Sequence, residues 1–182
     1  IEPASLVTKS LVREVKTDDA GCFQSALNPG LTKIAVIERH KRTGKLGIGI
    51  LEGYGLTGGA IATTISHDSH NIVVAGDNDP DMLLAVRELA DMGGGIVSVH
   101  GGSIRRLPLP IAGLMTSADP QEVNAVLHDM LVAARAELGI PEDVEPFMTL
   151  SFMALPVIPE LKLTARGLFN VNTFSFVGVE AD

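Results

Sequence analysis

The chain has 182 residues and a mass of 19.1 kDa, with 46% hydrophobic and 20% charged residues and a mean hydropathy of +0.28. That is too apolar for a disordered chain and long enough for roughly one domain with its own core. Fourteen basic against 22 acidic residues give a net charge of −8, and aromatics are only 4%, which argues against a nucleic-acid face, base-stacking platforms or an anionic membrane surface.

In chain order, residues 1–10 read as a lead-in from a preceding domain, and 11–182 as one domain. Leu11–Lys16 is expected as a short strand ended by the turn composition Asp18-Asp19-Ala20-Gly21. Asn28-Pro29-Gly30 is a second turn. Lys33–Arg39 and Leu46–Glu52 read as a strand and its return, joined by the polar stretch His40–Lys45. Gly53–Gly59 is loop-like. Ala60–Ser66 fits a strand or a short buried helix, and Asn71–Ala75 a further strand.

A helix follows, with Asp79 as N-cap, Pro80 in the first turn and Gly93-Gly94-Gly95 as its stop. Ile96–Val99 and Ile104–Leu107 form a hairpin around His100–Ser103. A second helix is capped by Asp119, with Glu122 at the capping-box position. Its apolar face is Val123, Val126, Leu127, Met130, Ala134 and Leu138, and Gly139 stops it. Asp129 and Arg135 are expected on its solvated side. Residues 146–156 read as a short buried helix or an extended packed segment, and Phe174–Val179 as a last strand. The fold class predicted is α+β, a mixed, mainly antiparallel sheet with two principal helices.

The sharpest polar cluster is His67-Asp68-Ser69-His70-Asn71. Two imidazoles three residues apart, with a carboxylate between, can ligate a divalent metal or hold a polar small molecule. The same residues can equally form a turn whose side chains bond the local backbone. No third metal ligand is evident. Gly47, Gly49 and Gly53 do not make a dinucleotide loop, because no helix follows them; close backbone packing is the better reading. Glu38, at a strand end, can point into a site, but a surface ion pair is the better reading. His100 and His128 read as turn and helix-surface residues, Met148 and Met153 as core filler. Cys22, the single cysteine, excludes an internal disulfide and fits a reducing, cytoplasmic setting. The chain opens at Ile1 rather than Met, which suggests a piece of a longer protein.

Five ordered segments carry a resemblance: IAVIERHKRTGKLGIGILEGYGL (34–56), GGAIATTISHDSHNIVVAGDNDPDM (58–82), MGGGIVSV (92–99), LPLPIAGLM (107–115) and PFMTLSFMALPVIPELKLTARGLF (146–169). Together they resemble the C-terminal region of bacterial adenine deaminases, members of the amidohydrolase superfamily. Ser66, in place of an expected alanine, and Val99-His100-Gly101, in place of an Asp-Gly turn, depart from that pattern.

The resemblance implies hydrolytic deamination of adenine to hypoxanthine and ammonia in purine salvage. It implies a Mn²⁺ or Fe²⁺ centre in an N-terminal (β/α)8 barrel; no His-x-His pair of that barrel occurs in these 182 residues. On this reading the chain holds no catalytic residue and no metal ligand, and His67, Asp68, Ser69, His70 and Asn71 help bind the purine. The expected partners are adenine, the barrel of the same protein and a second copy in a homodimer, with no nucleic acid and no membrane. The alternatives are a structural or oligomerisation domain and an autonomous purine-binding regulatory domain.

Overall fold

A computed structural model describes residues 1–2 and 4–180. Nine strands and three helices are found among them: β1 Leu31–Ile37, β2 Leu46–Glu52, β3 Gly59–Thr63, β4 Ile72–Gly76, α1 Asp79–Asp91, β5 Gly95–His100, β6 Ser103–Pro108, α2 Pro120–Ala136, α3 Pro146–Phe152, β7 Leu161–Thr164, β8 Gly167–Asn170 and β9 Ser175–Val177. The fold is α+β. Six strands form one sheet in the order β2-β1-β4-β3-β5-β6, and β7-β8-β9 form a second. Every described strand pairing is antiparallel.

The large sheet is the middle layer of three. On one face Ala60, Ala62, Val74 and Val97 pack against Met82, Ala85 and Leu89 of α1. On the other, Ile34, Val36, Ile61, Val73 and Ile96 pack under Met130 and Ala134 of α2, Phe147 and Leu150 of α3, and Leu163 of β7. Strands β3 and β4 are buried along their whole length, as expected for central strands covered on both sides. Their continuous apolar runs therefore carry no alternation. That is why periodicity leaves Ala60–Ser66 open between strand and helix; residues 60–63 are strand and 64–66 lie beyond its end.

Several local expectations are corrected. Leu11–Lys16 forms no strand: Leu11 and Val12 are exposed and the only pairing nearby is the isolated Thr17–Phe23 bridge. Asn78, not Asp79, caps α1; its extended backbone lets Oδ1 accept from the Asp81 N–H at 2.8 Å, which puts Pro80 second in the helix. Residues 146–152 are helical, with the Glu145 side chain accepting from the Met148 N–H. Asp129 and Arg135 are not merely solvated. Asp129 pairs with Arg105 at 3.2 Å, Arg135 donates to the carbonyls of Ile140 and Pro141, and Arg105 also grips Glu137 through two bonds, tying β6 to α2.

The β7–β8 hairpin had no sequence expectation. Lys162 sits in its interior, 1% exposed, with Nζ donating to the Leu6 carbonyl at 2.7 Å. Burial lowers its pKa to about 8. Thr8 adds a backbone bond to the Pro159 carbonyl, so the first ten residues are tied to the stretch leading into β7.

This hairpin lies directly on β2. A Cβ at Gly47 would collide with the Thr164 carbonyl oxygen, whereas one at Gly49 would meet Ile34 and Leu163 at ordinary contact distances of 3.6 and 3.7 Å. The glycines of β2 thus include one position where two backbones touch. Gly47→Ala is expected to cost about 1–3 kcal/mol in urea unfolding, and Gly49→Ala clearly less. Equal costs would contradict this contact.

Candidate functional site

The HDSHN segment links β3 to β4 at one end of the large sheet. Three elements fix its shape. From α3, the Ser151 carbonyl accepts the His67 N–H at 3.0 Å, and the Phe152 ring stacks on the His67 imidazole with centroids 4.6 Å apart. Within the segment, the His70 N–H bonds back to the Ser66 carbonyl at 2.6 Å. From the end of β1, Arg39 Nε donates to the His70 carbonyl at 2.5 Å, and its backbone N–H donates to Asn71 Oδ1 at 3.4 Å.

Arg39 also reaches across to the loop after β6. Its Nη2 donates to the Ala112 carbonyl at 2.7 Å. The next residue, Gly113 (φ +75°), leaves room for the guanidinium; a Cβ there would lie 2.8 Å from a guanidinium nitrogen. Thr64 secures the same loop from below, with Oγ1 donating to the Gly113 carbonyl at 2.6 Å and accepting the Gly95 N–H at 2.8 Å. Two segments distant in sequence, HDSHN and LPLPIAGL, are therefore held side by side. Each of these bonds to a charged donor stabilises by roughly 1.5–3 kcal/mol when shielded from water.

The five predicted residues divide by role. Ser69 and Asn71 serve the loop: Ser69 Oγ faces the Asn71 N–H at 3.4 Å, and the Ser69 carbonyl bonds His40 Nε2 at 2.8 Å. The side chains of His67 and Asp68 have no hydrogen-bond partner among the described residues, and Asp68 is exposed. His70 Nδ1 is buried and likewise unpartnered. Burial, with His67 and Arg39 adding positive charge nearby, lowers the His70 pKa below its ordinary value, so its imidazole is neutral at pH 7. Free polar atoms thus sit on His67, Asp68 and His70.

The metal alternative finds no support in this geometry. Among the described residues no three His, Cys, Asp or Glu side chains come together to hold a metal ion.

Sequence reading missed Arg39 as the organiser of this site. It also misjudged Glu38, which forms no ion pair among the described residues but accepts the N–H groups of His40, Lys41 and Thr43 and the Thr43 hydroxyl. Those bonds, the Thr43 N–H first, hold its carboxyl at about 2. Gly47 and Gly49 lie inside β2, and close backbone packing is found at Gly47 but not at Gly49. His100 Nδ1 bonds the Gly58 carbonyl at 2.7 Å.

The family model for the adenine deaminase C-terminal domain matches residues 5–175. The chain belongs to that family. It is 59% identical over 180 residues to an adenine deaminase of Nitratidesulfovibrio vulgaris, covering 98% of this chain and 31% of that protein. It is 49% identical to an adenine deaminase 2 of Carboxydothermus hydrogenoformans (97% of this chain, 31% of the relative). With an adenine deaminase of Clostridium acetobutylicum the identity is 48% (95% and 30%). The chain spans under a third of the length of these curated relatives. No described helix is long and apolar enough to cross a membrane.

Removing the Arg39 guanidinium should unlock both loops of this adenine deaminase C-terminal domain. Arg39→Met is expected to speed amide exchange at 66–71 and 110–115 and to raise the His70 titration midpoint, read by NMR, from below 6.5 toward it. Because the folded pKa is depressed, the stability tied to neutral His70 is lost as pH falls through that midpoint. An unchanged midpoint and unchanged exchange would contradict the assignment.

Proposed function

We propose that this chain is the C-terminal domain of an enzyme that hydrolyses adenine to hypoxanthine and ammonia, and that the HDSHN loop lends polar groups to the purine site. The carrying observation is family membership across nearly the whole chain. The loop supports it chemically. Adenine offers ring-nitrogen acceptors and an exocyclic amine donor. Asp68 accepts from the amine; the imidazoles of His67 and His70, each able to donate or accept, match the ring nitrogens. The Arg39 and Phe152 contacts hold that set in place without occupying it.

The reacting water and its activation belong, on this reading, to the part of the parent protein outside this chain, where a Mn²⁺ or Fe²⁺ ion would supply an activated hydroxide. Among the described residues no three His, Cys, Asp or Glu side chains come together for such an ion. The HDSHN residues bind and orient. The exposed, unpaired Cys22 suits a cytoplasmic enzyme of purine salvage.

A second reading, a packing or oligomerisation domain, is favoured by one observation. Around the loops, Ile111, Met115 and Met148 expose 47–58% of their surface, which suits contact with another domain or a second copy.

Asp68→Asn in the full-length parent separates the two. If Asp68 receives the amine, kcat/KM for adenine falls at least tenfold while the melting temperature stays put, since the side chain has no hydrogen-bond or ion-pair partner among the described residues. Unchanged kinetics would leave only the packing role.

A further inference from the structure

On the other side of the HDSHN loop, the 38–45 turn and the small sheet face each other across a cavity of about 780 Å³, a size that takes a small organic ligand. The small-sheet wall is aromatic. Phe169 holds Phe174 and Phe176 edge-on, with centroids 5.3 and 5.2 Å away. The low aromatic content argues against a base-stacking platform, but half of the chain's six phenylalanines meet here, and Phe174 is 79% and Phe176 43% exposed. Rings left in water beside a cavity are surfaces for stacking.

The rim is cationic. Lys41 and Lys45 line it from the turn, and Arg166 from the β7–β8 connection, its guanidinium 4.5 Å over the Phe176 ring. None of the three has a carboxylate within ion-pair distance among the described residues. The one carboxylate on the lining, Glu38, is already taken up by the N–H groups of its own turn. In a chain of net charge −8, three unpaired cations around exposed rings call for an anion attached to a flat ring. Asn71, on the cavity lining, has an Nδ2 donor with no partner among the described residues.

We propose that this cavity binds a nucleoside monophosphate, with the base stacked on Phe174 and Phe176 and the phosphate on Arg166, Lys41 and Lys45. A guanidinium grips a phosphate dianion through paired bonds, and the lysines add point charges. Stacking on an aromatic side chain contributes roughly 1–3 kcal/mol per base. A free base lacks the anion and inorganic phosphate lacks the ring, so both bind weakly. The proposal goes beyond the adenine-site reading and does not depend on it.

The test is equilibrium binding of AMP to the full-length parent by calorimetry, with adenosine and inorganic phosphate as separate probes. AMP is expected to saturate at one per chain and to weaken as salt is raised. Adenosine and phosphate are expected to bind at least tenfold more weakly. Arg166→Gln and Phe176→Leu, both exposed positions, should each weaken AMP at least tenfold with the circular dichroism spectrum unchanged. No saturable AMP binding, phosphate binding as tight as AMP, or full AMP affinity in both variants would overturn the proposal. Deamination is not the readout, so failure of the adenine-site reading leaves this result interpretable.

Discussion

The arrangement of the candidate site depends on one guanidinium. Arg39 has no carboxylate partner among the described residues and spends its donors on the carbonyls of His70 and Ala112. Burial opposes its charge, and the two carbonyls offset that cost. The consequence is geometric: the loop after β3 and the loop after β6 become one surface. Gly113 is part of the same device, since a side chain there would push the guanidinium out. Without this clamp the HDSHN loop would keep its α3 contacts and its own turn bond but lose its tie to the loop after β6.

The three-layer packing explains why the clamp can be local. Strands β3 and β4, which launch the HDSHN loop, are buried on both faces. The ends of the loop are therefore rigid, and only its crest remains to be positioned. Tyr54 contributes from the opposite side. Fully buried, its hydroxyl donates to the Pro146 carbonyl at 2.9 Å, which seats the first turn of α3 and so the Phe152 ring that stacks on His67.

Where local pattern decides structure, the sequence was legible. The β1–β2 hairpin, α1 and α2 follow from strand composition, caps and apolar spacing. What escaped depends on distant contacts. Lys162 is one example: its ammonium is buried because the Leu6 carbonyl, over 150 residues away, receives it. Residues 146–152 are mostly apolar and only seven long, so periodicity does not choose between helix and extended chain. At the site, the polar HDSHN cluster stood out by composition. Its partner Arg39 did not, because a strand-end arginine announces nothing until the Ala112 carbonyl, 73 residues on, is brought beside it. Glu38 was misread for the opposite reason: its bonds are all within five residues, but they depend on the backbone folding around the carboxylate.

The chain is an adenine deaminase C-terminal domain by family; the role proposed for it is to shape a purine site without carrying the chemistry. The most direct measurement compares adenine deamination, followed as hypoxanthine formed in the presence of Mn²⁺, by this 182-residue chain and by the full-length parent. The account predicts turnover by the parent and none by the chain alone. Turnover by the isolated chain would contradict it, and would make the His67–His70 cluster the place to look for the reacting groups.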